Sequence, residues 1–175
     1  MWSDLKLISG KYKNTAEILV ALAIITGLFF FLGMDDIIFS GPFGIHFMRQ
    51  TDSLSFAGIY FREGFEFFNP GLYNLKNIDG HAACEFPVLY YITSLIYLVT
   101  GQNYSVLKIL NYLLAMTGIF CIYRMSMLIL RNRVYSILIA LVLFTSTVFN
   151  YYSLNYLPDS GAFGLIMIGW FFFFR

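Results

Sequence analysis

The chain has 175 residues, of which 59% are hydrophobic, 20% aromatic and only 12% charged, with a mean hydropathy of +0.71. Water-soluble domains carry about 25% charged residues, so the composition argues against a water-soluble globule. The formal net charge of +1 is uninformative by itself, and nucleic acid is not an expected partner.

Placement of the charges says more. They gather in a few islands, and runs such as Ile18 to Met34 and Val134 to Pro158 contain none. Crossing about 30 Å of hydrocarbon takes roughly 20 helical residues, with about 17 as a lower limit. The first apolar run, Ile18 to Met34, just meets that limit and follows Lys6, Lys11 and Lys13. No small-residue cleavage site follows, so it reads as a retained anchor with its N-terminus in the cytoplasm. Next comes HFMRQTDSLSF, residues 46 to 56, which places His46, Arg49, Gln50 and Asp52 beside a hydrophobic wall. From there SLSFAGIYFREGF reads as an amphipathic helix, with Leu54, Ala57, Phe61 and Phe65 at helical spacing and Arg62 and Glu63 on other faces.

A second island, HAACEFP (81 to 87), opens the second apolar run, Phe86 to Gly101, which is short and begins with Phe86-Pro87. The third run, Tyr104 to Leu130, is long enough to span, with Lys108 and Arg124 marking its ends; the fourth, Val134 to Tyr152, also qualifies. A third island, NYLPDS (155 to 160), precedes the last run, Gly161 to Phe174, which falls short of a comfortable span and stops at Arg175.

Topology turns on the second run. If it crosses, Arg124, Arg131 and Arg133 lie opposite the N-terminal lysines; if it rests at the interface or dips in and returns, all these cations share the cytoplasmic side. The positive-inside bias and the run's length favour the second arrangement. The stretch 35–103 is then an outer loop, and the fourth run delivers Asp159 to the same face as Asp52 and Glu85. The expected fold is all-α: a polytopic membrane helix bundle in which 1–34 forms the N-terminus and first span, 35–103 the outer loop with juxtamembrane helices, and 104–175 further spans. Three to four helices make a thin bundle, so a fragment of a longer protein is expected.

Each island has two readings. Asp52 is either a helix N-cap or a general base fixed at the membrane surface. Arg49 either snorkels to headgroups or binds a phosphate through its planar fork. His46 lacks an identified partner and reads as structural. Glu85, placed just before an apolar run where a carboxylate is costly to desolvate, is a solvated loop acid, a metal ligand or a partner for a sugar hydroxyl. Asp159 is a helix cap or a further member of the site. Lys76, Asp79 and His81 lie in the turn-rich NLKNIDGHAA and receive no role beyond the loop. Cys84 and Cys121 have no metal-type spacing and suggest neither a zinc site nor a disulfide framework.

At these islands the sequence resembles the GT-C class of membrane glycosyltransferases, which includes protein O-mannosyltransferases and the lipid A aminoarabinose transferase. The resemblance rests on HFMRQTDSLSFAGIYFREGF, CEFPVLYYITSLIYLVTGQ and LPDSGAFGLIMIGWFFFF and runs from about residue 35 onward. It implies a polyprenyl-phosphate sugar as donor, transfer with inversion at the outer face of a bacterial inner membrane, and Asp52 as catalytic aspartate. The mannosyltransferases usually carry an Asp-Glu pair where this chain reads RQTD. Arg49, Gln50, Glu85 and Asp159 become substrate-binding positions, and either an arginine or a divalent cation stabilises the departing phosphate. Membrane lipid is the other expected partner. Two further readings stay open: a transporter or lipid-carrier fragment, in which intramembrane acids relay protons, and a non-catalytic membrane subunit.

Overall fold

A computed structural model describes residues 19–20, 22–73, 80 and 82–175. The N-terminal lysines and Lys76, Asp79 and His81 lie outside the described residues. The described structure is all-helical, without a strand element. It divides into two units, Met1–Ile37 and Ile38–Arg175.

The first unit contains α1 (Leu22–Phe31), which exposes Leu22, Ile24, Phe30 and Phe31. Gly33 closes it with φ +64, a conformation that favours glycine. The short α2 (Met34–Ile38) begins there and runs up to the division between the units.

In the second unit, α3 (Phe47–Glu63) packs on α4 (Val88–Thr100), and α4 packs on the long α5 (Ser105–Leu130). The helix α5 also supports α6 (Arg133–Phe144), α7 (Thr147–Ser153) and, most extensively, α8 (Asp159–Phe174). Local chemistry sets the turns. Arg131 closes α5 in a left-handed conformation, its N–H donating to Met127 C=O. Asn132 then caps α6 by accepting from Val134 N and Tyr135 N at 3.0 and 3.3 Å. Ser146 caps α7 in the same way through Phe149 N.

That second cap breaks the fourth apolar run. The sequence reads Val134 to Tyr152 as one span, whereas α6 and α7 meet at a 65° bend. Thr145 and Ser146 supply hydroxyls that compete for backbone groups, and the Asn150 amide donates to Phe144 C=O at 2.7 Å, so the interrupted ladder keeps its partner. Among the described residues, one helix, α5, is long and apolar enough to cross a membrane, or two if the bent pair counts as one. With 13 residues, α4 reaches only about 20 Å, too short for a crossing, as its sequence indicates.

The amphipathic helix begins earlier than its sequence suggests. Residues Phe47 to Thr51 are helical, and the chain leaves the helix at Gly64, so Phe65 lies beyond it. The buried residues of α3 are Gln50, Ser53, Phe56, Ala57, Gly58, Ile59 and Tyr60; of the expected stripe Ala57 is among them, whereas Leu54 and Phe61 are only partly buried. Phe56, Ala57 and Tyr60 meet Leu89, Tyr90 and Tyr97 of α4, Leu107 of α5 and Tyr156 in one core. This core is rich in tyrosine, and each hydroxyl must find a partner or lose hydrogen-bonding energy. Tyr60 Oη donates to Phe67 C=O at 2.8 Å and Tyr156 Oη to Ser40 C=O at 2.8 Å.

One buried amide pins the approach to α8. Asn111 on α5 is fully enclosed and donates to Asn155 C=O at 3.3 Å and Leu157 C=O at 2.9 Å. Asn111→Ala strands the Leu157 carbonyl without its donor, and an unsatisfied buried polar group costs about 1–3 kcal/mol. Thermal unfolding in mild detergent should report a loss of that size; an unchanged midpoint would mean the 155–157 turn holds itself.

Candidate functional site

The islands converge where three chain segments meet. Arg49 lies in the first turn of α3, Glu85 in the loop leading into α4, and Asp159 at the first position of α8. The Arg49 guanidinium stands 3.8 Å from Glu85 Oε1 through Nη2 and 3.8 Å from Asp159 Oδ2 through Nη1. One cation thus bridges acids 74 residues apart in sequence (159 − 85). At that length neither contact is a hydrogen bond. All three side chains are about half open to solvent, at 50%, 40% and 47% exposure. The trio carries a formal charge of −1 (+1 − 2).

Each member is held by its own element. Asp159 follows Pro158 and sits inside α8, so it is a first-turn residue rather than the N-cap that the sequence allows; its negative charge still complements the helix dipole. Asp52 likewise is not a cap. It is the sixth residue of α3, half-buried, one turn beyond Arg49, and the N-cap position belongs to His46. Among the described residues the Asp52 carboxylate has no hydrogen-bond or ion-pair partner. Gln50 is enclosed and its amide donates to Phe43 C=O at 2.6 Å, fixing the turn that starts α3.

His46, which has no partner legible in the sequence, does have one. Its Nε2 lies 2.9 Å from Tyr152 Oη, 106 positions away, with the two rings 5.7 Å apart. The Tyr152 carbonyl accepts from Ser160 Oγ at 3.0 Å. This chain of contacts couples the start of α3 to the start of α8, and so carries Arg49 to Asp159. Gly44, at φ +79, completes the turn: a Cβ there would stand 2.9 Å from Tyr151 Oη.

Glu85 is steadied from α4. Tyr90 Oη donates to Glu85 Oε1 at 2.7 Å and lies 3.1 Å from Ser53 Oγ, while its ring stacks on Phe56 at 5.4 Å. Burial, with the Glu85 carboxylate adding to it, pushes the Tyr90 hydroxyl far above its ordinary range, so it remains a donor. Burial and then Glu85 also push the neighbouring Cys84 thiol up. Sequence reasoning overlooks Ser53 and Tyr152 and reads Tyr90 only as one aromatic ring of an interface belt or sugar-stacking surface; where these hydroxyls point carries no signal until the helices are placed.

Aromatic side chains border the site. Phe86, next to Glu85, lies 5.4 Å from Phe67, which also contacts Phe68 and Tyr91, and Phe68 and Phe86 are largely exposed. Among the described residues no three His, Cys, Asp or Glu side chains form a group that could hold a metal ion. The guanidinium already occupies the place between the two carboxylates, so this donor set does not fit a resident divalent cation.

No protein-family model matches the chain, and neither does any curated protein or solved structure.

Proposed function

We propose that the chain belongs to a multi-pass membrane glycosyltransferase of the GT-C type, acting on a polyprenyl-phosphate sugar at the outer membrane face. The observation that carries this reading is Arg49 held between Glu85 and Asp159, beside the starts of α4 and α8, two helices whose exposed side chains are mainly apolar. A polyprenyl-phosphate sugar asks for that combination: its tail lies among apolar helices while its phosphate stays at the water boundary.

The reaction breaks the bond from the anomeric carbon to the phosphate oxygen and forms one to an acceptor hydroxyl on a lipid, glycan or protein. Attack from the opposite face inverts the anomeric centre. The leaving polyprenyl phosphate takes the bonding electron pair, and Arg49 supplies charge-assisted donors to it. No hydrogen bond ties the Arg49 N–H groups to other described residues, and at 3.8 Å the two acids orient the fork without consuming it. The acceptor's proton goes to Asp52, a carboxylate with no competing partner among the described residues, held on α3 one turn from Arg49.

The transporter reading needs acids within spans. The residues of α5 include Lys108 and Arg124 but no aspartate or glutamate, which favours the transferase. The test is a transfer assay on the full-length protein with a panel of radiolabelled polyprenyl-phosphate sugars. Asp52→Asn is expected to lower turnover at least a hundredfold (about 10²–10⁴ for a lost general base) with expression unchanged. Full activity in that variant removes Asp52 from the base role, and no transfer from any donor by the wild type removes the function.

A further inference from the structure

The Tyr90 hydroxyl lies between Glu85, which the transfer scheme uses only to orient Arg49, and Ser53, which it does not use. The tyrosine hydroxyl has one proton. The Glu85 carboxylate can only accept, so Tyr90 donates to Oε1 at 2.7 Å, and its oxygen lies 3.1 Å from Ser53 Oγ. Ser53 sits one helical turn after Arg49, and its hydroxyl also lies 3.0 Å from the Arg49 carbonyl. Tyr90 itself is 1% exposed and stacked on Phe56, so its hydroxyl has a fixed position. Glu85 is 40% exposed. A rigid buried donor therefore grips one oxygen of a solvent-facing carboxylate, and Arg49 approaches that same oxygen. The other oxygen, Oε2, has no partner among the described residues.

We infer that Tyr90 is a positioning residue that turns Glu85 Oε2 outward to accept a hydrogen bond from a hydroxyl of the donor's sugar, beside the phosphate at Arg49. The inference rests on the polyprenyl-phosphate reading and assigns the sugar-recognising group within it. Two acceptor oxygens on one carboxylate are divided: one is spent on the protein, the other is left for the ligand. A hydroxyl-bearing ring is selected in this way, because a site built to accept a hydrogen bond discriminates against a ligand that lacks the donor.

Two probes separate this from a packing role: a polyprenyl phosphate without sugar, and the polyprenyl-phosphate sugar that the full chain binds best in a panel. Equilibrium binding in detergent micelles is measured for wild type, Tyr90→Phe, Glu85→Gln and the double variant. Tyr90→Phe keeps the ring on Phe56 and should weaken the sugar-bearing probe about tenfold, the worth of one hydrogen bond, while the bare phosphate binds as before. Glu85→Gln also removes one of the two acids beside Arg49, so it is read as a ratio: the sugar-bearing probe should lose about tenfold relative to the bare phosphate, and the double variant no more than the larger single loss. Equal weakening of both probes, or no change in either, overturns the inference while leaving the transferase reading intact. If Tyr90→Phe does not fold, Glu85→Gln alone decides by the same selectivity. Wild-type protein that binds neither probe refutes the polyprenyl-phosphate reading and this inference together.

Discussion

Gly164→Ala is expected to destabilise the chain by about 2 kcal/mol, although alanine is the better helix former. On α8, Gly164 faces α5 at the closest approach of the two helices. A methyl group there would overlap the Leu114 carbonyl oxygen and stand 2.5 Å from the carbonyl carbon and 3.0 Å from Ala115 N. These are backbone atoms and cannot swing aside. The opposing Gly118 is equally constrained, because its Cβ would lie 2.7 Å from Gly164 Cα. Replacing glycine by alanine in a helix gains up to about 1 kcal/mol, whereas overpacking a rigid contact costs about 1–3 kcal/mol. With backbone on the far side the larger penalty applies, so the helices must separate. The control lies on the same helix: a Cβ at Gly169 meets nothing within 4 Å, so Gly169→Ala is expected to stabilise by up to about 1 kcal/mol. Thermal unfolding in mild detergent reads both. Equal shifts of the same sign would show that the α5–α8 contact is looser than described.

The glycines show what a sequence yields and what it withholds. Apolar runs and capping residues declare the helices, because length and local hydrogen bonding decide them: α4 reads as too short to cross, and α5 reads as long enough. The bend after Phe144 escapes because a hydropathy run does not register that Ser146 can stop one helix and start another. The start of α3 escapes because Phe47 to Arg49 become helical through contacts made by distant residues, notably His46 with Tyr152. In the site, the acids and Arg49 stand out because charge is rare in this chain. That Arg49 joins Glu85 to Asp159 follows from the distribution of charge along the chain only as an expectation of proximity; the pairing itself depends on the starts of α3, α4 and α8 meeting. The hydroxyl partners are invisible beforehand, since tyrosine is frequent here and its role depends on which neighbour its oxygen reaches.

Arg49→Met is expected to have two consequences that differ in scale. For stability it should matter little. The contacts are 3.8 Å long and about half exposed, and such pairs contribute about 0–1 kcal/mol. Methionine keeps much of the apolar stem, and Glu85 retains its hydrogen bond from Tyr90. For transfer it should matter greatly, because losing one preorganised donor to a developing oxyanion costs about 10²–10³ in rate. Arg49→Lys should fall between, since lysine restores the charge but not the planar fork. Measuring unfolding and transfer on the same preparations distinguishes a structural bridge from a phosphate ligand. A variant that unfolds several degrees earlier yet transfers normally would make Arg49 a strut between α3 and α8. A variant that folds normally and loses transfer identifies the guanidinium as the group the leaving phosphate needs, because only the reacting state brings a second negative charge to it.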